Sequence, residues 1–203
     1  MFVKDLRLPL PEVLAHESLR WTGFTEAQID RILAINPALS EAEIRLRLEE
    51  GQECLFGWIG ESLAHYRWDA TASPYLPYLG KTLRFLQGDT HGIGVFTHPA
   101  FRGQGIQTAS GIMALHRAKE RGCSRYISIV VWWNVPALRI NLKSGLSVAG
   151  TVGYWNAGLW RYYFATGDVY LDESDGVWIR HRSAENQHTL HGQHDATNKI
   201  PAD

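Results

Sequence analysis

Residues 97–107 read Thr-His-Pro-Ala-Phe-Arg-Gly-Gln-Gly-Ile-Gln. Gly103 and Gly105 separate an apolar run ending at Thr97 from a helical pattern starting at Ile106. The first-turn N–H groups of a helix have no intrahelical partner, and with the helix dipole they attract anions. Glycines remove side chains where a phosphate must approach the backbone. Arg102 adds a cation at the loop entrance. The chemistry implied is the binding of a phosphate or pyrophosphate. Two common phosphate patterns do not fit. Gly80-Lys81-Thr82 has Tyr75 where a P-loop needs its first glycine. After Gly103-Gln104-Gly105, Thr108 stands where a dinucleotide fingerprint needs glycine or alanine.

The surrounding elements must hold this loop. Thr25 with Gln28 and Ser40 with Glu43 are capping boxes, so two helices are predicted before residue 50. Asn36-Pro37 ends the first. Residues 53–59 and 63–68 form a hairpin about Gly60-Glu61. Residues 70–88 read as one long functional loop holding Tyr75, Tyr78 and Phe85. Residues 91–97 are a strand, 106–121 a helix and 126–133 an apolar strand. Pro136 opens a short helix that Gly145 closes. A last hairpin covers 147–154 and 159–164. The expected architecture is α+β, a mostly antiparallel twisted sheet flanked by helices. Its central parallel unit is the strand-helix-strand of 91–133. One domain over 1–165, with a helical N-terminal part at 1–50, is followed by a polar, His-rich tail at 166–203, expected to be mobile.

The chain has 203 residues, 45% hydrophobic and 20% charged, with 8 Trp, 8 Tyr and 7 Phe. That is the composition of a globular domain with an aromatic core. A formal net charge of −1 argues against a nucleic-acid or anionic-membrane partner. No apolar run reaches the length of a signal peptide or membrane span, so a cytoplasmic location is expected. Cys54 and Cys123 read as buried thiols. His188, His191 and His194 repeat at spacing three, a pattern read as adventitious metal affinity, and no metal site is expected.

The segment 95–107 resembles the coenzyme A pyrophosphate loop of the GCN5-related N-acetyltransferases, with Arg102, Gly103, Gly105 and the flanking Thr97-His98-Pro99 in matching places. Gln107 departs from the small residue usual at the loop's sixth position. Downstream, Asn134, Ala137 and Gly145-Leu146 resemble the same family's post-strand element. The resemblance implies that Phe96 and Thr97 contact the acyl-pantetheine through their backbone. It also implies that Arg102, Gly103, Gln104, Gly105, Ile106 and Gln107 hold the pyrophosphate, with Asn134 and Ala137 completing the coenzyme site. Many members carry a tyrosine acid in the post-strand helix, where this chain has Asn141.

The resemblance implies transfer of an acetyl group from acetyl-CoA, as co-substrate, to an amine of a small molecule or peptide by direct attack on the thioester. An amine with pKa about 10.4 needs a base or a desolvated pocket. His91 is the candidate base. Tyr66, Trp68 and Tyr78 are candidate substrate-lining residues. Two alternatives stand beside this one: a non-catalytic acyl-CoA sensor or interaction module, and transfer of a longer acyl group. The aromatic last hairpin leaves room for a homodimer.

Overall fold

The structure is a computed structural model that describes residues 1–13, 19–158 and 160–180 and the backbone of 198–201. The elements are β1 (Phe2–Asp5), β2 (Leu19–Gly23), α1 (Ile29–Ile35), α2 (Glu41–Glu49), β3 (Glu53–Ile59), β4 (Ser62–Ala70), β5 (Tyr75–Leu76), β6 (Lys81–Leu83), β7 (Asp89–Thr97), α3 (Ile106–Glu120), β8 (Arg125–Ser128), α4 (Val135–Lys143), β9 (Ser147–Val148), β10 (Val152–Ala157), β11 (Trp160–Ala165), β12 (Val169–Leu171), β13 (Gly176–Ile179) and β14 (Asn198–Pro201). The fold is mixed α+β with a mostly antiparallel sheet. The chain divides into two compact units. The larger holds residues 2–71 and 87–147, and the smaller holds Met1, residues 72–86 and the chain from Val148 on.

In the larger unit six strands lie in the order β2-β3-β4-β7-β8-β1. Only β7 and β8 are parallel, joined through α3 as a strand-helix-strand crossover. Alternation along β4 sorts its side chains onto two faces. Tyr66 and Trp68 face α1 and α2, in a core with Ile32, Ile44 and Phe56. His65 and Arg67 face α3, where both reach Ser110. A second core joins α3 through Leu115 and Ala118 to Phe2, Leu6 and Tyr126. The start of α2 follows from its capping box, and the box at Thr25 and Gln28 starts the 3₁₀ turn that leads into α1. In α2 the Ser40 hydroxyl accepts from Glu43 N–H at 3.2 Å, and Glu43 returns a carboxylate to Ser40 N–H at 2.8 Å.

Three expectations need correction. Residues 1–50 are not simply helical. Residues 2–5 pair antiparallel with β8 and residues 19–23 with β3. The local pattern is weak because the pairing partners lie more than thirty residues away. Residues 70–88 are not one irregular loop, since β5 and β6 join β12 and β13 in the smaller unit's four-stranded sheet. The tail does not begin at residue 166. Residues 169–171 and 176–179 form a hairpin that buries Val169, Val177 and Ile179. Its turn is held by Asp172, which accepts from the N–H groups of Ser174 and Gly176 and from Trp178 Nε1. Residues 181–197, including His188, His191 and His194, lie outside the described residues.

Candidate functional site

β7 stays paired to β4 as far as His65 opposite Thr97. Its other edge leaves β8 early. The parallel register runs only from Asp89 opposite Arg125 to His91 opposite Ile127. Beyond that point the two strands diverge, and β8 ends at Ser128. The sequence reading carried this strand to residue 133. Trp132 and Trp133 instead lie past its end and are 76% and 65% exposed, because no neighbouring strand covers them.

After Thr97 the chain makes one 3₁₀ turn at Pro99–Phe101 and reaches the glycine loop. Gly103 and Gly105 have φ of +80° and +77°, the left-handed region that favours glycine. A Cβ at either would meet nothing within 4 Å, so the glycines serve the turn and leave open space beside it. Gly105 is the N-cap of α3. The α3 ladder begins with Ala109 N–H donating to Gly105 O. The N–H groups of Ile106, Gln107 and Thr108 therefore precede the helix's own bonds. Arg102 Nε donates to Thr97 O at 3.1 Å, tying the loop cation to the strand end.

These parts enclose a cavity of about 560 Å³. Its walls are Val95, Phe96 and Thr97 from β7, then Phe101, Arg102, Gly103 and Gly105 from the loop, and Ile106, Gln107 and Thr108 from α3. The opposite wall is Asn134, Pro136, Ala137, Ile140 and Lys143. The structure thus brings nine of the ten expected coenzyme residues around one space. Gln104 is the exception: it is exposed and does not belong to the lining. Asn134 Oδ1 accepts from Ala137 N–H at 3.2 Å and caps α4. Ile140 and Lys143 escaped the sequence reading. Their signal was present, since 136, 140 and 143 fall on one face of α4 at i, i+4 and i+7.

The other candidates are placed differently. His91 sits at the paired root of β7 and β8, is 3% exposed and does not line the cavity. Burial, against the opposing pull of Asp69, pushes its pKa down to about 4. The reason is topological: the strand start that reads as a surface turn is covered on both sides by β4 and β8. Trp68 is fully buried in the α1/α2 core, with the Arg47 guanidinium 5.7 Å from its ring centre. Tyr66 is 3% exposed and stacks on Phe96 at 5.5 Å, one ring behind the cavity wall. Asn36 Nδ2 donates to its hydroxyl at 2.6 Å. Tyr78 belongs to the smaller unit and is half-exposed. Asn141 Nδ2 donates to Ser128 Oγ at 2.9 Å. No group of His, Cys, Asp and Glu among the described residues is arranged to hold a metal ion. No helix among them is long and apolar enough to cross a membrane.

Comparison with known proteins bears on this geometry. The sequence model of the Acetyltransferase (GNAT) family matches residues 24–145. Among solved structures, a transcriptional regulator from Bacillus halodurans C-125 is similar at 23% identity and a TM-score of 0.51, over 68% of this chain and 99% of that one. Aminoglycoside antibiotic 6′-N-acetyltransferase AAC(6′)-Ih from Acinetobacter baumannii is similar at 16% identity and a TM-score of 0.53, over 69% and 98%. AAC(6′)-Iy, solved in complex with a bisubstrate analog CoA-S-monomethyl-acetylneamine, gives 13% identity and a TM-score of 0.53, over 70% and 99%. A search of the curated proteins finds no match. A diverging strand pair, a glycine loop opening a helix, and a family model covering more than half of the chain lead to one conclusion: the chain belongs to the acetyltransferase (GNAT) family.

Proposed function

We propose that the chain transfers an acetyl group from acetyl-CoA to the amine of a small-molecule or peptide acceptor. One observation carries this reading: the strand end, glycine loop, α3 start and α4 face converge on a single cavity. The residues present fit a coenzyme A pyrophosphate. The α3 N–H groups and the open space at Gly103 and Gly105 suit its oxygens. Arg102 and Lys143 place two cations on the lining. The coenzyme supplies an activated acyl thioester when bound.

The protein's part is positioning. The edge of β7 that has left β8 presents the outward-facing backbone groups of Val95 and Thr97 to the cavity, and an N–H there is suited to polarise a thioester carbonyl. Holding acyl group and amine together supplies the rest of the rate. Among the described residues, those lining the cavity include no carboxylate and no histidine, so removal of the acceptor's proton is assigned to solvent. Asn141, engaged with Ser128, donates no proton to a departing thiolate. That observation favours a second reading, a non-catalytic acyl-CoA-binding module.

The test is calorimetric titration of acetyl-CoA into the wild type and Arg102→Glu, followed by an amine panel including aminoglycosides and peptides. Saturable binding, weakened at least about tenfold in the variant, is expected from losing one charge-assisted phosphate contact and adding a repulsion. Product with any amine supports the transferase. Binding without turnover on the whole panel supports the module. No binding by the folded wild type removes both readings.

A further inference from the structure

On the α3 face of the sheet runs a polar chain whose buried centre, His65, the proposed mechanism does not use. His65 is fully buried on β4. Its Nδ1 lies 2.9 Å from Thr97 Oγ1, and its Nε2 lies 2.7 Å from Ser110 Oγ. Thr97 is the last residue of β7, and Ser110 is one turn into α3. The imidazole therefore bridges the strand end and the helix start that form two walls of the cavity. Arg67 Nη1 donates to Ser110 Oγ at 3.2 Å, and Arg67 Nη2 donates to the Tyr126 hydroxyl at 2.7 Å. Tyr126 in turn donates to Asp69. Gly92 makes room for this cluster, since a Cβ there would stand 2.8 Å from Arg67 Nη2 and 2.7 Å from the Tyr126 hydroxyl. At the other end, Thr97 O accepts from Arg102.

We infer that His65 is a positioning residue: through Thr97 and Ser110 it sets the spacing of the β7 end and the α3 start, and so the affinity of the coenzyme cradle. Three features favour this over a merely satisfied core histidine. The ring's two nitrogens go to two elements, β7 and α3, that each supply residues to the lining of one cavity. Both partners are hydroxyls, which a neutral ring satisfies with one donor and one acceptor. The chain ends on Arg102, the cation of the loop itself. Burial and the nearby Arg67 charge hold the ring neutral, with its pKa lowered to about 3, so this bridge does not switch near neutral pH.

The inference rests on the coenzyme reading of the cavity, and its test separates the two. Coenzyme A is titrated calorimetrically into the wild type, His65→Leu, Thr97→Val and Thr97→Ser, with melting curves for each. In parallel, the ring nitrogens of His65 are followed by ¹⁵N NMR as coenzyme A is added. Thr97→Val keeps the side chain's shape and removes the hydroxyl. It is expected to bind about five- to tenfold more weakly, the scale of one buried hydrogen bond. Thr97→Ser keeps the hydroxyl and is expected to bind more tightly than Thr97→Val, recovering affinity through the retained bond to His65. His65→Leu is expected to weaken binding at least as much as Thr97→Val. If it does not fold, the half-buried Thr97 pair decides. The His65 nitrogen signals are expected to shift on saturation, although the ring touches no ligand. Equal affinity for Thr97→Val and wild type, or His65 signals that do not move, overturns the inference and leaves the coenzyme reading standing. Failure of the folded wild type to bind coenzyme A overturns both.

Discussion

Lowering the pH from 7 to 5 destabilises this protein through two histidines that the fold keeps neutral. His65 and His91 are both buried, and burial lowers their pKa values from 6.5 to about 3 and about 4. In the unfolded chain both rings take up a proton near pH 6.5. Below that pH the unfolded state binds more protons than the folded one, so stability falls as pH falls, by about 1.4 kcal/mol per pH unit per ring. The loss for each ring continues until pH reaches its folded pKa. Integrated from pH 7 to 5, each ring contributes about 2 kcal/mol, and the pair about 4 kcal/mol. The buried Met1 ammonium, also lowered by burial, acts in the same direction. Asp172 titrates below this window: held down to about 2 chiefly by the Trp178 hydrogen bond, it loses its contribution only as pH falls from 3.8 through about 2. The assay is urea unfolding at pH 7, 6 and 5, followed by tryptophan fluorescence. The His65→Gln variant isolates one ring, and its loss over the same range is expected to be about 2 kcal/mol smaller than the wild type's. A wild-type stability that changes by less than about 0.5 kcal/mol between pH 7 and 5 would refute the reasoning. It would mean that the folded protein protonates both rings as readily as the unfolded chain does.

Two further outcomes are expected. Asp89→Asn removes one partner of a buried ion pair, in which Arg125 Nε and Nη2 meet the two Asp89 carboxylate oxygens at 2.7 and 2.6 Å, at the root of the β7–β8 pairing. It is expected to cost about 3–5 kcal/mol in urea unfolding, because the Arg125 charge stays buried. Lys143→Glu reverses an exposed charge on the cavity lining. Coenzyme A affinity measured by calorimetry is expected to fall about fivefold at low salt and less at high salt, with the melting temperature unchanged.

Much of the cavity was legible in the sequence because its signals are local. Gly103 and Gly105 announce a left-handed turn, Ile106 starts a helical period, and Asn134 with Pro136 announces another helix start. Each depends on residues within a few positions, where backbone sterics and capping operate. The capping boxes at Thr25 and Ser40 were readable for the same reason. Lys143 was readable in principle from helical spacing, but only the structure shows which face of α4 meets the loop.

Tertiary structure alone decided which polar side chains the site uses. His91, at a strand start with the titration range of a base, became a buried residue when β4 and β8 closed on either side of it. His65, unremarked in its strand, became the bridge between two cavity walls because α3 returns across the sheet and brings Ser110 to it, 45 residues later in the chain. Phe2 pairs opposite Ser128, a partner that no local pattern announces. The sequence by itself determined where helices and turns begin and where the glycines leave the backbone bare. Burial, and with it the pKa and reach of each histidine, is set by segments far apart in the chain, so it exists only once the sheet is assembled.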